Sequence, residues 1–213
     1  MQTITQEALG RVPWGFFTRA EASVWLGVGT VALDGLLKRA AQTGEIHRIK
    51  RGLFSLDRRF LTSPPNALAL AQLVCGPSYL SAETALSWHG WIPEGVPAIV
   101  STSLGRAREF VTPLGTFVFQ RVPQNALFAG VQRVAEPGSP VSYFIARPLK
   151  ALADYVYLHR CDWQSAGPLR GSLRIEDEAL ASLSDADFEE LEGVYHSGRV
   201  RRFLAGLRGD LGK

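Results

Sequence analysis

Between Thr18 and Leu56 the chain reads TRAEASVWLGVGTVALDGLLKRAAQTGEIHRIKRGLFSL, and this stretch restricts the fold more than any other. Thr18 precedes an apolar-periodic run and is followed three residues later by Glu21, the arrangement in which hydroxyl and carboxylate each satisfy an orphan backbone donor at a helix start. Ala22, Trp25 and Leu26 continue at helical spacing. Gly27-Val28-Gly29 then stops the helix, because each glycine costs about 1 kcal/mol relative to alanine. Thr30 is a fresh N-cap candidate, and Leu33, Leu36, Leu37 and Ala40 make one apolar stripe while Asp34, Lys38, Arg39 and Gln42 point elsewhere. The second helix is expected to end near Thr43-Gly44. Ile46, Arg48, Leu53 and Leu56 flank a tight Lys50-Arg51-Gly52 turn. Helix, glycine turn, helix and basic hairpin, in that order, predict a winged helix-turn-helix.

Charge is distributed as a DNA-binding module requires. Residues 1–61 hold nine Lys and Arg against five acids, net +4, whereas the other 152 residues are net −1, so the whole +3 of the chain comes from its first third. Neutralising phosphates releases counterions and supplies affinity independent of base sequence. The candidate DNA contacts are Arg19, Thr30, Lys38, Arg39, Arg48, Lys50 and Arg51, the last two at the hairpin tip. The bland alternative is a solvated basic face on a module that docks protein. The second helix opens with Thr30-Val31-Ala32 where many readers of DNA place Arg, Asn or Gln. Specificity is therefore expected from thymine methyl contacts, from Lys38 and Arg39, or from the hairpin in the minor groove.

At 213 residues with 46% hydrophobic content, the chain has material for one good core or two small ones. Ser63-Pro64-Pro65 is a stiff boundary, which divides the chain into 1–61 and 62–213. The longest apolar runs are far below the roughly 20 residues a bilayer span needs. MQTITQEALG lacks the basic start and apolar core of a secretory signal, so a cytoplasmic location is expected. Cys75 and Cys161 are far apart and suit a reducing compartment as two thiols.

Residues 62–213 predict α+β. Ala67 to Val74 is a helical run stopped by Gly76-Pro77, Ser81 caps a helix through Trp88, and Gly90 closes it. Residues 98–102 and 116–122 have β character, with a third strand near Tyr143 to Ala146. Pro148 opens a helix through Tyr157. Ser184 to Val194 and Ser197 to Leu207 read as one acidic and one basic helix.

Four of these segments, RGLFSL, PSYLSAETALSWHGWIP, VSTSLGRAREFVTPLGTFVFQRV and ARPLKALADYVYL, together resemble the AbiEi-type antitoxins of abortive-infection toxin-antitoxin systems, over Thr18 to Leu158. The last 55 residues match only loosely. The resemblance implies an N-terminal winged helix that binds repeats in its own operon's promoter. It also implies a larger C-terminal domain that counters a nucleotidyltransferase-like toxin, with or without a lasting complex. The sequence departs at Leu149, where relatives usually carry an acid after the proline of the helix motif.

Other constellations are weak. His89, between Trp88 and Trp91, reads as a packed capping residue sooner than a base. His47, His89, His159 and His196 lack metal-ligand spacing, and no cofactor or metal is expected. Glu176-Asp177-Glu178 lacks the lysine and second carboxylate of a nuclease, so no enzyme is expected. Arg106 and Arg108, in a polar connection between strands, and Arg199, Arg201 and Arg202, on the basic C-terminal helix, are the candidate partner contacts. A competing reading is a one-component regulator whose second domain holds a ligand among Trp88, Trp91, Phe117 and Phe119.

Overall fold

A computed structural model of the chain describes residues 3–93, 95, 97–135 and 141–213, and its architecture is mixed α+β. The N-terminal part contains α1 (Thr3–Arg11), β1 (Phe16–Thr18), α2 (Arg19–Leu26), α3 (Thr30–Gln42), β2 (Ile46–Lys50) and β3 (Leu53–Leu56), with the strands in antiparallel order β1-β3-β2. Thr18 accepts from the backbone N–H of Glu21, whose carboxylate accepts from the N–H of Thr18 at 2.6 Å, so the capping box starts α2. Gly27, left-handed at φ +60°, ends it, and α3 departs at 113° to α2. The N-cap of α3 is Gly29, one residue before the expected Thr30, and it makes no side-chain cap bond. Arg59, in a short 3₁₀ turn at Arg58–Phe60, donates to the carbonyls of Thr43 and Gly44 and so clamps the end of α3.

The remainder is organised on a six-stranded sheet. Its elements are α4 (Ala67–Val74), β4 (Ser78–Leu80), α5 (Ala82–Trp88), β5 (Ala98–Ser103), β6 (Arg108–Thr112), β7 (Gly115–Arg121), β8 (Val131–Ala135), β9 (Ser142–Ala146), α6 (Pro148–Leu158), α7 (Gly167–Leu173), α8 (Asp177–Ala181), α9 (Asp185–Glu190) and α10 (Gly198–Leu211). Strand order is β6-β7-β5-β4-β9-β8, with β5–β7 and β4–β9 parallel and the other neighbours antiparallel. The sequence predicts three of these strands. β4, β6 and β8 are additional, and Arg108 opens β6 where a polar connection is expected. The expected acidic helix from Ser184 is only the six-residue α9, whereas the basic helix is longer than expected.

Two hydrophobic clusters form. One draws on Ile4, Ala8, Phe17, Ala22, Leu33, Leu37, Ala40, Ile46, Phe54 and Leu56 of the N-terminal part. The larger one is built from the second part but takes in Phe16, Ile49 and Leu53. The hairpin is therefore a shared wall: its alternating faces serve different cores. Among the described residues no single helix is long and apolar enough to cross a membrane.

Candidate nucleic-acid interface

The hairpin turn and the start of α2 meet because the backbone N–H of Arg19 donates to the carbonyl of Gly52 at 2.9 Å. Gly52, at φ +79°, permits the tight return between Lys50 and Leu53. Between this hairpin and α3 lies an open groove of about 1070 Å³, whose lining includes Arg19, Thr30, Asp34, Lys38, Arg48 and Arg51. Five of the seven predicted contacts thus come together: Arg19, Thr30, Lys38, Arg48 and Arg51. Lys38, Arg48 and Arg51 are exposed there.

Asp34 qualifies this charge. Its carboxylate accepts from Arg19 Nε at 2.9 Å, an exposed pair in which the hydrogen bond lowers the Asp34 pKa and raises that of Arg19. Arg19 is thus oriented by a carboxylate on α3 that itself lines the groove.

Successive helical residues turn by about 100°, so Val31, Gly35, Lys38 and Gln42 share the face of α3 opposite its buried stripe of Leu33, Leu37 and Ala40. Val31 is 88% exposed. An isopropyl group held in water at the first turn of a helix suits a methyl group on a partner, and Gly35 keeps the middle of the face low. Arg39 is exposed but does not line the groove.

Lys50 departs from its expected place. Its ammonium donates to the carbonyl of Val74 at 2.8 Å, across to the end of α4. The physical reason is a register shift between Arg48 and Lys50, which buries Ile49 and turns Lys50 toward the second part. The hairpin thus presents Arg48 and Arg51 to the groove, and Lys50 is turned away from it.

Comparison with protein-family models and with curated proteins finds no match to this chain.

The predicted partner contacts do not behave as a set. Arg106 and Arg108 are exposed at the edge of the sheet, and Arg201 is exposed on α10. Arg202 reaches Asp162 at 3.6 Å, while Arg199 lines a separate hollow with Arg121 and Arg160. Phe117 and Phe119 are wholly buried in the core and Trp91 nearly so, which leaves Trp88 as the one substantially exposed ring of the expected aromatic pocket. His89 is the C-cap of α5 and its Nε2 meets the Ala146 carbonyl at 2.9 Å; burial pushes its pKa down. Asp177 is engaged by Arg170 at 2.6 Å. Leu149 is buried.

Sequence reasoning missed a buried polar cluster inside the ARPLKALADYVYL segment. Asp154, fully buried, accepts from the hydroxyls of Tyr79 (2.7 Å), Ser81 (2.6 Å), Thr102 (3.3 Å) and Tyr195 (2.7 Å). One turn earlier, fully buried Lys150 donates to Gln124 and lies over the rings of Tyr79 and Tyr195. Burial raises the pKa of both tyrosines, and the Asp154 charge raises them further; burial lowers that of Lys150. A lysine and an aspartate at i, i+4 in an otherwise apolar helix were the available signal.

Proposed function

We propose that residues 1–61 are a winged helix-turn-helix that binds promoter DNA, and that the chain is an AbiEi-like antitoxin that represses its own operon. The observation that carries the DNA reading is the groove between α3 and the hairpin, where Arg19, Lys38, Arg48 and Arg51 converge beside the exposed Val31 face. In this reading α3 enters the major groove, Val31 meets thymine methyls, Lys38 and Gln42 reach base edges, and Arg48 and Arg51 hold phosphates. Asp34 penalises sequences that set a phosphate or an acceptor against it. The antitoxin reading rests on the four family-like segments; the lysine and aspartate of the helix segment act as scaffold in it, because both are buried.

Gel shifts with the DNA upstream of the chain's own gene test the first part, and co-expression with the neighbouring gene tests the second. Operator-selective, salt-sensitive retardation together with rescue of growth is expected. Retardation equal on unrelated DNA, or growth arrest that persists, contradicts the corresponding part.

A further inference from the structure

The end of β7, the end of α6 and the beginning of α10 enclose a second, smaller hollow of about 240 Å³, lined by Gln120, Arg121, Tyr157, Leu158, Arg160 and Arg199. Three of the six are arginines and none is an acid. Several arginines meet carboxylates, Arg11 with Glu7, Arg147 with Glu190, Arg170 with Asp177 and Arg208 with Asp185, while among the described residues Arg48 and Arg51 of the N-terminal groove do not. Arg121, Arg160 and Arg199 make no ion pair among the described residues. Three like charges around one hollow repel, and a dianion placed among them relieves that repulsion. Arginine forks match phosphate oxygens two at a time, so the cluster has the chemistry of a phosphate site.

A second observation concerns the backbone. Arg160 follows the C-cap His159 at φ +56°, its N–H bonding the Tyr157 carbonyl while Cys161 N–H bonds that of Val156. This helix ending strongly favours glycine, because a Cβ is disfavoured in the left-handed region. At this position, where glycine is the easier residue, the chain carries an arginine whose guanidinium lines the hollow. The volume is below that of drug-sized pockets and takes a phosphate group, while the half-buried Tyr157 ring offers a face on which a base can lie.

We propose that this hollow binds a phosphate group, free or carried by a mononucleotide, through Arg121, Arg160 and Arg199. The site is separate from the N-terminal groove, and its failure would leave the DNA reading intact.

The test uses the full chain, in thermal-shift and calorimetric titrations at constant ionic strength, with inorganic phosphate, AMP and, as an uncharged comparison, adenosine. Phosphate and AMP raise the melting temperature saturably and adenosine does not. Tighter binding of AMP assigns a nucleotide, and equal binding assigns free phosphate. Arg160→Gly relieves the left-handed backbone, so the unliganded variant melts no lower than the parent, yet it loses about tenfold or more in affinity; Arg199→Ala does likewise in affinity. Three results overturn the proposal: no saturable response to either anion, a response unchanged in both variants, or a response abolished by Arg51→Ala, which puts the anion in the N-terminal groove. Loss of duplex DNA binding in Arg160→Gly without any phosphate response also overturns it and makes the hollow part of the DNA footprint.

Discussion

Single side chains decide how the hairpin is divided between two tasks. Arg48 and Arg51 face the groove, whereas Lys50 is held by the Val74 carbonyl. Lys50→Ala is therefore expected to lower stability by about 1 kcal/mol, the usual net worth of such a bond, and to leave DNA affinity unchanged; urea denaturation and a gel shift on the same preparation separate the two effects. The sequence shows three consecutive tip residues, two of them cationic, and cannot show the bulge that reorients one of them. His89 gives a pH prediction. Its folded pKa is depressed by burial, so below the ordinary histidine value of about 6.5 the unfolded chain takes up a proton before the folded one does. This contribution to stability is complete above pH 6.5 and declines as pH falls through the folded value. Melting temperatures between pH 7.5 and 5 are expected to fall less in His89→Gln than in the parent; parallel curves contradict the assignment.

At the scale of elements, legibility followed local chemistry. The capping box at Thr18 and Glu21, the left-handed Gly27 and proline at the start of α6 are local signals, and each marks an element where expected. β4 escaped because a strand as short as Ser78–Leu80 gains its identity from neighbours distant in sequence, Tyr79 pairing with Thr102 and Leu80 with Ile145, whereas β6 and β8 are edge strands that each pair only with the next strand in the chain. The groove was legible as a set of residues because α3 and the hairpin are adjacent in sequence. The hollow of Arg121, Arg160 and Arg199 was not, since three separate elements build it. Docking of α10 depends on a glycine: a Cβ at Gly206 would lie 1.9 Å from the carbonyl oxygen of Gln164, a backbone atom that cannot swing aside. Gly206→Ala is expected to cost at least about 1–3 kcal/mol, in the range of overpacked sites, despite the better helix propensity of alanine. A variant as stable as the parent in chemical denaturation contradicts that contact.

Across the whole molecule Phe16, Ile49 and Leu53 of the N-terminal part belong to the larger cluster, so the groove-lining hairpin is fixed to the larger part and not tethered to it. The larger part itself closes around Asp154, whose four hydroxyl donors come from β4, the β4–α5 junction, β5 and the segment before α10. Asp154→Ala takes from those hydroxyls their shared acceptor, leaving Tyr79 only the Gln124 amide and Tyr195 only the Lys150 carbonyl, deprives buried Lys150 of its neighbouring charge, and is expected to cost about 3–5 kcal/mol, a large share of a typical domain's stability. The double substitution Lys150→Met with Asp154→Leu is expected to recover much of that loss; denaturation midpoints of the three proteins check both statements.

The central claim is that the groove between α3 and the hairpin holds duplex DNA. Fluorescence anisotropy with the chain's own upstream DNA, repeated across a salt series, measures it directly. The parent should show log affinity falling linearly with log salt, and Arg48→Ala with Arg51→Ala together should flatten the slope by about 1.8, two phosphate contacts at about 0.9 each, while preserving the melting temperature. A parent slope near zero, or a slope unchanged in the double variant, would contradict the claim.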